Sequence, residues 1–193
     1  RLWPGELAAA GNYLAVGEIL DRCSSDEVGG ILLGGVRGKD LTVVEMSLRA
    51  NPELHEGLTY RILSNVVRYD QGPQDRDRQD KMFRMILDHG VDVNEFGVND
   101  EEGVTLLHGL SHKWWMKTLD VDGPARYAAL LLDHGADLEV GDTHSKMTPL
   151  QWAAANGRRG LVELFLQRGA KGKAKARTEA KARGFQEVVE LLS

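Results

Sequence analysis

Thr148-Pro149-Leu150-Gln151-Trp152-Ala153-Ala154-Ala155-Asn156-Gly157, followed by Leu161-Val162-Glu163-Leu164-Phe165-Leu166-Gln167-Arg168-Gly169-Ala170, decides the fold, because every local signal in it agrees. It reads as two short helices joined by a tight turn. Thr148 is placed to cap the first helix, and Pro149 follows at the first helical position, where its missing N–H costs nothing and its φ is already helical. Gly157 stops that helix, since a residue without Cβ tolerates the left-handed conformation that helix ends often need. Arg158-Arg159-Gly160 then turn the chain into a second run that ends at Gly169. Leu161, Val162, Leu164, Phe165 and Leu166 make that run apolar over a wide arc, so it requires neighbours to cover it.

This segment resembles an ankyrin repeat, a family whose pattern runs Thr-Pro-Leu-His, an Ala-Ala pair, a Gly turn, Val-x-x-Leu-Leu-Leu and Gly-Ala-Asp. Gln151 stands where the family has His. Repeats of this kind bury their core by stacking, so a single copy predicts others along the chain.

Glu6 to Leu20 repeats the apolar spacing around Gly11, and Ile31 to Leu48 repeats it around Gly38. In the second of these, Gly29-Gly30 and Gly34-Gly35 lower helix propensity by up to about 1 kcal/mol each, which predicts a short or irregular first helix. Gly11 and Gly38 lie 27 residues apart, against a family period of about 33, so the hairpin between them is expected to be trimmed. Gly57-Leu58-Thr59 opens a third copy, with helices over 60–69 and 81–89 separated by a polar loop, Gln71 to Arg78, that contains Gly-Pro. A fourth runs from Gly103-Val104-Thr105-Leu106-Leu107-His108 to Leu132-Asp133-His134-Gly135-Ala136-Asp137, with extra residues around Lys113 to Gly123. The last, around Gly184, is short and reads as a cap. The expectation is an all-α ankyrin-repeat solenoid of about six helix-turn-helix repeats, approximately 1–23, 24–52, 53–94, 95–139, 140–171 and 172–193. Short β-hairpin fingers are expected where repeats three to five join, and the whole is read as one domain.

The 193 residues are 42% hydrophobic and 27% charged, with a formal net charge of -5, a composition ordinary for a globular chain. No apolar run approaches the roughly 20 residues of a membrane span. A single cysteine, Cys23, has no partner for an internal disulfide, which favours a reducing compartment, cytoplasmic or nuclear. Phosphate loops, nucleophile elbows and Cys-x-x-Cys pairs are missing from the sequence, so neither a cofactor nor a catalytic residue is expected.

Aligned on Thr105, Thr148 and the glycine turns, the resemblance implies a concave recognition face built from the fingers and first helices. From repeat four it takes Glu101, Glu102, Val104, His112 and Lys113; from repeat five it takes His144, Ser145, Met147, Ala155 and Asn156. Arg37 and Arg183 hold comparable places just before their glycines. Trp114 and Trp115 point about 100° apart on a helix, so both cannot face one core, and one is a candidate anchor for a partner. Trp3 and Trp152 read as core. His108 and His112, four apart, share a helix face as metal ligands do, but His108 sits where the family ties its ring into backbone hydrogen bonds, so a structural role is expected. His89 and His134 each follow Leu-Asp at a helix end, which also suggests a structural role. From Arg168 to Arg183 seven cationic residues face a single Glu179. The run lacks aromatic residues for base stacking, which disfavours nucleic acid.

The function expected is therefore protein–protein recognition without catalysis, by a monomer whose partner is another protein and not a membrane. The alternative is a small-molecule or enzymatic site closed over by the insertions of repeats three and four near His108, His112, Trp114 and Trp115.

Overall fold

The structure, a computed structural model, describes residues 4–9, 12–50, 52–54, 57–68, 75–97, 103–112 and 123–193. These form twelve helices and, among the described residues, no strand. Two helices fall within each of the six intervals expected from the sequence. The chain divides into two compact units, 1–92 and 93–193.

The first unit holds α1 (Pro4–Ala9), α2 (Tyr13–Leu20), α3 (Ser25–Arg37), α4 (Leu41–Arg49), α5 (Leu58–Arg68) and α6 (Arg76–Asp88). Each odd-numbered helix packs on the even-numbered one that follows it. In addition α1 packs on α3 and α3 on α5, while α2 packs on α4 and α4 on α6. Ala8, Val16, Leu20, Val28, Ile31 and Val43 form a continuous cluster across the first two pairs.

Two expectations fail here, for separable reasons. The glycine-rich first helix of repeat two is neither short nor irregular: α3 runs for 13 residues. Its start is secured by a capping box, in which the Ser24 N–H donates to Glu27 Oε2 at 2.8 Å and the Glu27 N–H donates to Ser24 Oγ at 3.4 Å. Its glycines permit close packing. A Cβ on Gly35 would lie 2.9 Å from Val43 Cγ1, and one on Gly29 would lie 2.8 Å from Leu58 Cδ2. The second failure is at α6, which starts at Arg76, inside the stretch read as a polar loop. Gln79 is fully buried there with Met82, Phe83 and Ile86, because the helical period places it on the same face as those apolar residues.

The second unit holds α7 (Leu106–Gly109), α8 (Gly123–Asp133), α9 (Pro149–Ala155), α10 (Arg159–Gln167), α11 (Lys173–Ala182) and α12 (Gln186–Leu191). The same order recurs: α7 packs on α9 and α9 on α11, while α8 packs on α10 and α10 on α12. In α10, Leu161, Val162 and Phe165 are buried, as its apolar arc requires. Gly157 ends the α9 turn with φ +67°, and a Cβ there would meet the Phe185 ring at 2.5 Å. That glycine is thus required both by the left-handed backbone and by the contact with the next turn. Where a finger was expected, one backbone bond, Asp142 N–H to Met147 O at 3.0 Å, closes a tight loop. The Thr143 N–H reaches back to Gly103 O at 3.1 Å.

The α3 glycines make opposite predictions. Gly30 faces open space, so Gly30→Ala should raise stability by up to about 1 kcal/mol through helix propensity. Gly35→Ala should lower it by about 1–3 kcal/mol through overpacking against Val43. Urea denaturation of the two variants decides, and equal effects of one sign would contradict this account of the helix.

Candidate functional site

The site begins with a buried carboxylate. Asp142 is only 1% exposed, yet its oxygens accept from five donors: the His144 N–H at 2.9 Å, the Ser145 N–H at 2.6 Å, the Ser145 hydroxyl at 2.5 Å, the Met147 N–H at 2.9 Å and Trp152 Nε1–H at 3.0 Å. Burial by itself pushes the carboxyl pKa up. The bonds from the Ser145 side chain, Trp152, and the backbones of Ser145 and Met147 outweigh it and hold Asp142 well below the usual carboxylate range. One ionised group thereby shapes the 142–147 loop and pins it to α9.

His108 performs the matching task from the preceding repeat. Its Nδ1 lies 3.3 Å from the Thr105 N–H and 2.8 Å from the Thr105 hydroxyl, and its Nε2 lies 3.0 Å from the Met147 carbonyl. A backbone N–H must donate and a carbonyl must accept, so Nδ1 is the acceptor and Nε2 carries the proton. Burial lowers the His108 pKa; the Met147 bond and the Asp142 charge oppose this without overcoming it, so the ring is kept neutral. With both nitrogens engaged, the ring ties the first helix of one repeat to the loop of the next. In repeat five, Gln151 takes over the local half of that role, its Oε1 accepting from the Thr148 N–H at 2.9 Å.

Between loop and helix lies a cleft of about 290 Å³, walled by His112, Met147, Trp152, Ala155, Asn156 and Arg183, with Asp142, His144 and Ser145 on the loop side. Trp152 stands between the two histidine rings: its centroid is 5.9 Å from that of His108, edge-on at 81°, and 5.9 Å from that of His112, tilted at 49°. Asn156 donates through Nδ2 to the Trp152 carbonyl at 2.9 Å.

Of the residues expected on the recognition face, the structure brings His112, His144, Ser145, Met147 and Asn156 together around this cleft, along with Ala155. Val104 is 5% exposed; its side chain points inward, because residue 104 lies between the turn glycine and the start of α7. Glu101, Glu102, Lys113, Trp114 and Trp115 lie outside the described residues, as does Trp3. Trp152 is not core but a half-buried wall of the cleft, held there by Asp142. Arg183 is exposed and does line the cleft. Asp142 went unnoticed in the sequence, where its one distinction is its place six residues before Thr148. Elsewhere, His134 Nδ1 donates to the Leu130 carbonyl at 2.8 Å at the end of α8, which is a structural use. Burial, then the Glu27 charge, raises the Cys23 pKa, which makes the thiol a poorer nucleophile. Among the described residues no group of three His, Cys, Asp or Glu is placed to hold a metal ion, and no helix is long and apolar enough to cross a membrane.

Helix pairs packed first on first and second on second define a helical-repeat protein. The particular repeat is identified by comparison: the ankyrin repeat family model matches residues 145–176, which run from the Asp142 loop through α9 and α10 into α11. The match gives that segment the character of an ankyrin repeat. No curated protein matches the chain.

Asp142→Asn puts an amide N–H₂ among five donors and should cost about 3 kcal/mol at neutral pH. Because the folded-state pKa of Asp142 is depressed, its contribution is complete above the ordinary Asp range and declines as pH falls below about 4, where the unfolded chain takes up the proton first. The stability gap between wild type and variant should therefore narrow on acidification. Parallel urea titrations that show a constant gap down to low pH would rule this out.

Proposed function

We propose that the chain is a protein-recognition module that binds a polypeptide segment of its partner through the cleft between the 142–147 loop and α9. The observation that carries this reading is the convergence of His112, Met147, Asn156 and Arg183, drawn from four separate segments, on one half-open cleft beside the rigidly held Trp152. Preorganisation favours binding, since little side-chain entropy remains to be lost there. An aromatic wall and a thioether supply apolar contact, and Asn156 and Arg183 supply hydrogen bonding, the mixture from which interface anchors are made.

The fold supports the same reading: helix pairs of this family present surfaces to other proteins, and we take the six pairs to be six such repeats in one domain. The recognition is read as non-catalytic and the protein as a monomer in the cytoplasm or nucleus. A small-molecule or enzymatic site centred on His108 is less well supported, because both of its ring nitrogens are engaged by Thr105 and Met147.

The triple substitution His112→Ala, Met147→Ala and Asn156→Ala removes three cleft walls without touching Asp142 or His108. Affinity capture with quantitative mass spectrometry should show partners of the wild-type chain reduced at least about tenfold with the variant, roughly a 1.4 kcal/mol loss, at unchanged melting temperature. Undiminished capture by the folded variant would reject the cleft as the recognition face.

A further inference from the structure

Beyond the cleft, α11 carries an unusual surface. Between Arg168 and Arg183 seven residues are cationic and one, Glu179, is anionic, in a chain of net charge -5. Two of the seven are neutralised: Arg168 Nη1 lies 2.8 Å from Asp133 Oδ1, and Arg183 Nη1 lies 2.6 Å from Glu179 Oε2. Lys175, Arg177 and Lys181 are exposed and make no ion pair among the described residues. Lys173 is held differently, by a 2.7 Å bond from Nζ to the Ser193 carbonyl.

The helix buries only Ala176 and Ala180. Helical periodicity then sorts the outward side into three rows. Lys173, Arg177 and Lys181 follow one another along one flank, and Lys175, Glu179 and Arg183 along the other. The ridge between them consists of Ala174, Thr178 and Ala182, all exposed and all small. The Arg183 flank ends at the cleft.

We propose that the exposed face of α11, together with the cleft at its C-terminal end, docks a short, extended acidic segment of a partner protein; this deepens the recognition reading above and rests on it. The low ridge lets a backbone lie along the helix while its carboxylates reach cations on either side. Ten helical residues span about 15 Å, which an extended peptide covers with about five residues. The chemistry selects against other polyanions. No aromatic side chain stands on the exposed face to stack a base, and no large apolar one to enter a lipid surface. A long polyanion would also run past the strip onto a chain whose remaining charge is predominantly negative. A short acidic segment meets only the cations, and its attachment is steered by charge and weakened by salt.

The test is fluorescence anisotropy on the full chain with a fluorescein-labelled peptide of eight glutamates ending in leucine. The comparison probes are the same peptide with glutamine for glutamate, a DNA duplex, and phosphatidylserine vesicles. The acidic peptide should bind at least about tenfold more tightly than its glutamine counterpart and lose that margin as salt is raised. The combined Lys175→Glu, Arg177→Glu and Lys181→Glu variant should weaken binding by at least about tenfold. The corresponding glutamine variant, which leaves the buried alanines and the helix propensity intact, should weaken it less but measurably. Arg61→Glu, an exposed charge reversal on α5, should leave it unchanged. Equal affinity for both peptides, tighter strip-dependent binding of duplex or vesicles, or retention of affinity by both folded strip variants would each overturn the inference. If the peptide fails while the His112, Met147 and Asn156 variant still loses captured partners, the chemistry assigned to the partner is wrong and recognition through the cleft survives. If that cleft variant keeps its partners while the peptide binds the strip, the cleft reading falls instead.

Discussion

Helices of four to thirteen residues have too few internal hydrogen bonds to be stable singly, and each helix pair of this chain leaves an apolar side uncovered. Everything else in the structure follows from how that side is covered. Within each unit, first helices lie on first helices and second on second, so the buried face of one pair is completed by the next. The arrangement is sensitive to bulk at the contact points. Gly35 against Val43, and Gly157 against Phe185, are places where one methyl group decides whether neighbours approach.

Stacking apolar faces sets the spacing of the repeats but does not orient their connecting loops. That task falls to polar groups withdrawn from water. Asp142 is stable as a buried anion because five donors converge on it, and those donors are the backbone and side chains of the very loop that surrounds it. His108 then links that loop to the preceding helix through the Met147 carbonyl. Removing either group would leave buried donors or a carbonyl without partners, a cost larger than the net worth of the bonds themselves. The cleft inherits its rigidity from this pair: Trp152 is held by Asp142 on one side and flanked by His108 and His112 on the other.

Small side chains also account for how α11 can pack while carrying so much charge. α11 buries only Ala176 and Ala180 and packs on α9, whose Ala153, Ala154 and Ala155 are likewise small and buried. Small residues on both sides bring the backbones close and leave the outer positions of α11 free to carry charge. Salt bridges from Arg183 and Arg168 are exposed and contribute little to stability.

From the sequence by itself came the helical-repeat class and the pair of helices between Thr148 and Gly169. Most of the residues that line the cleft were also legible there. These follow from local chemistry: proline at a first helical position, glycine at a left-handed turn, and apolar spacing at the helical period. What local chemistry misjudged was settled by contacts between residues distant in the chain. Glycine propensity argued for an irregular α3, but the glycines are where Val43 and Leu58 need room; polarity argued for a loop as far as Arg78, but α6 starts at Arg76 and carries Gln79 onto the buried face of Met82 and Phe83. Trp152 reads as core in the sequence and Val104, by alignment with the family pattern, as part of the recognition face; folding leaves the first half-buried and buries the second. Only the tertiary structure placed Asp142, because a carboxylate is identified as structural by the donors that surround it, and those donors are assembled by folding.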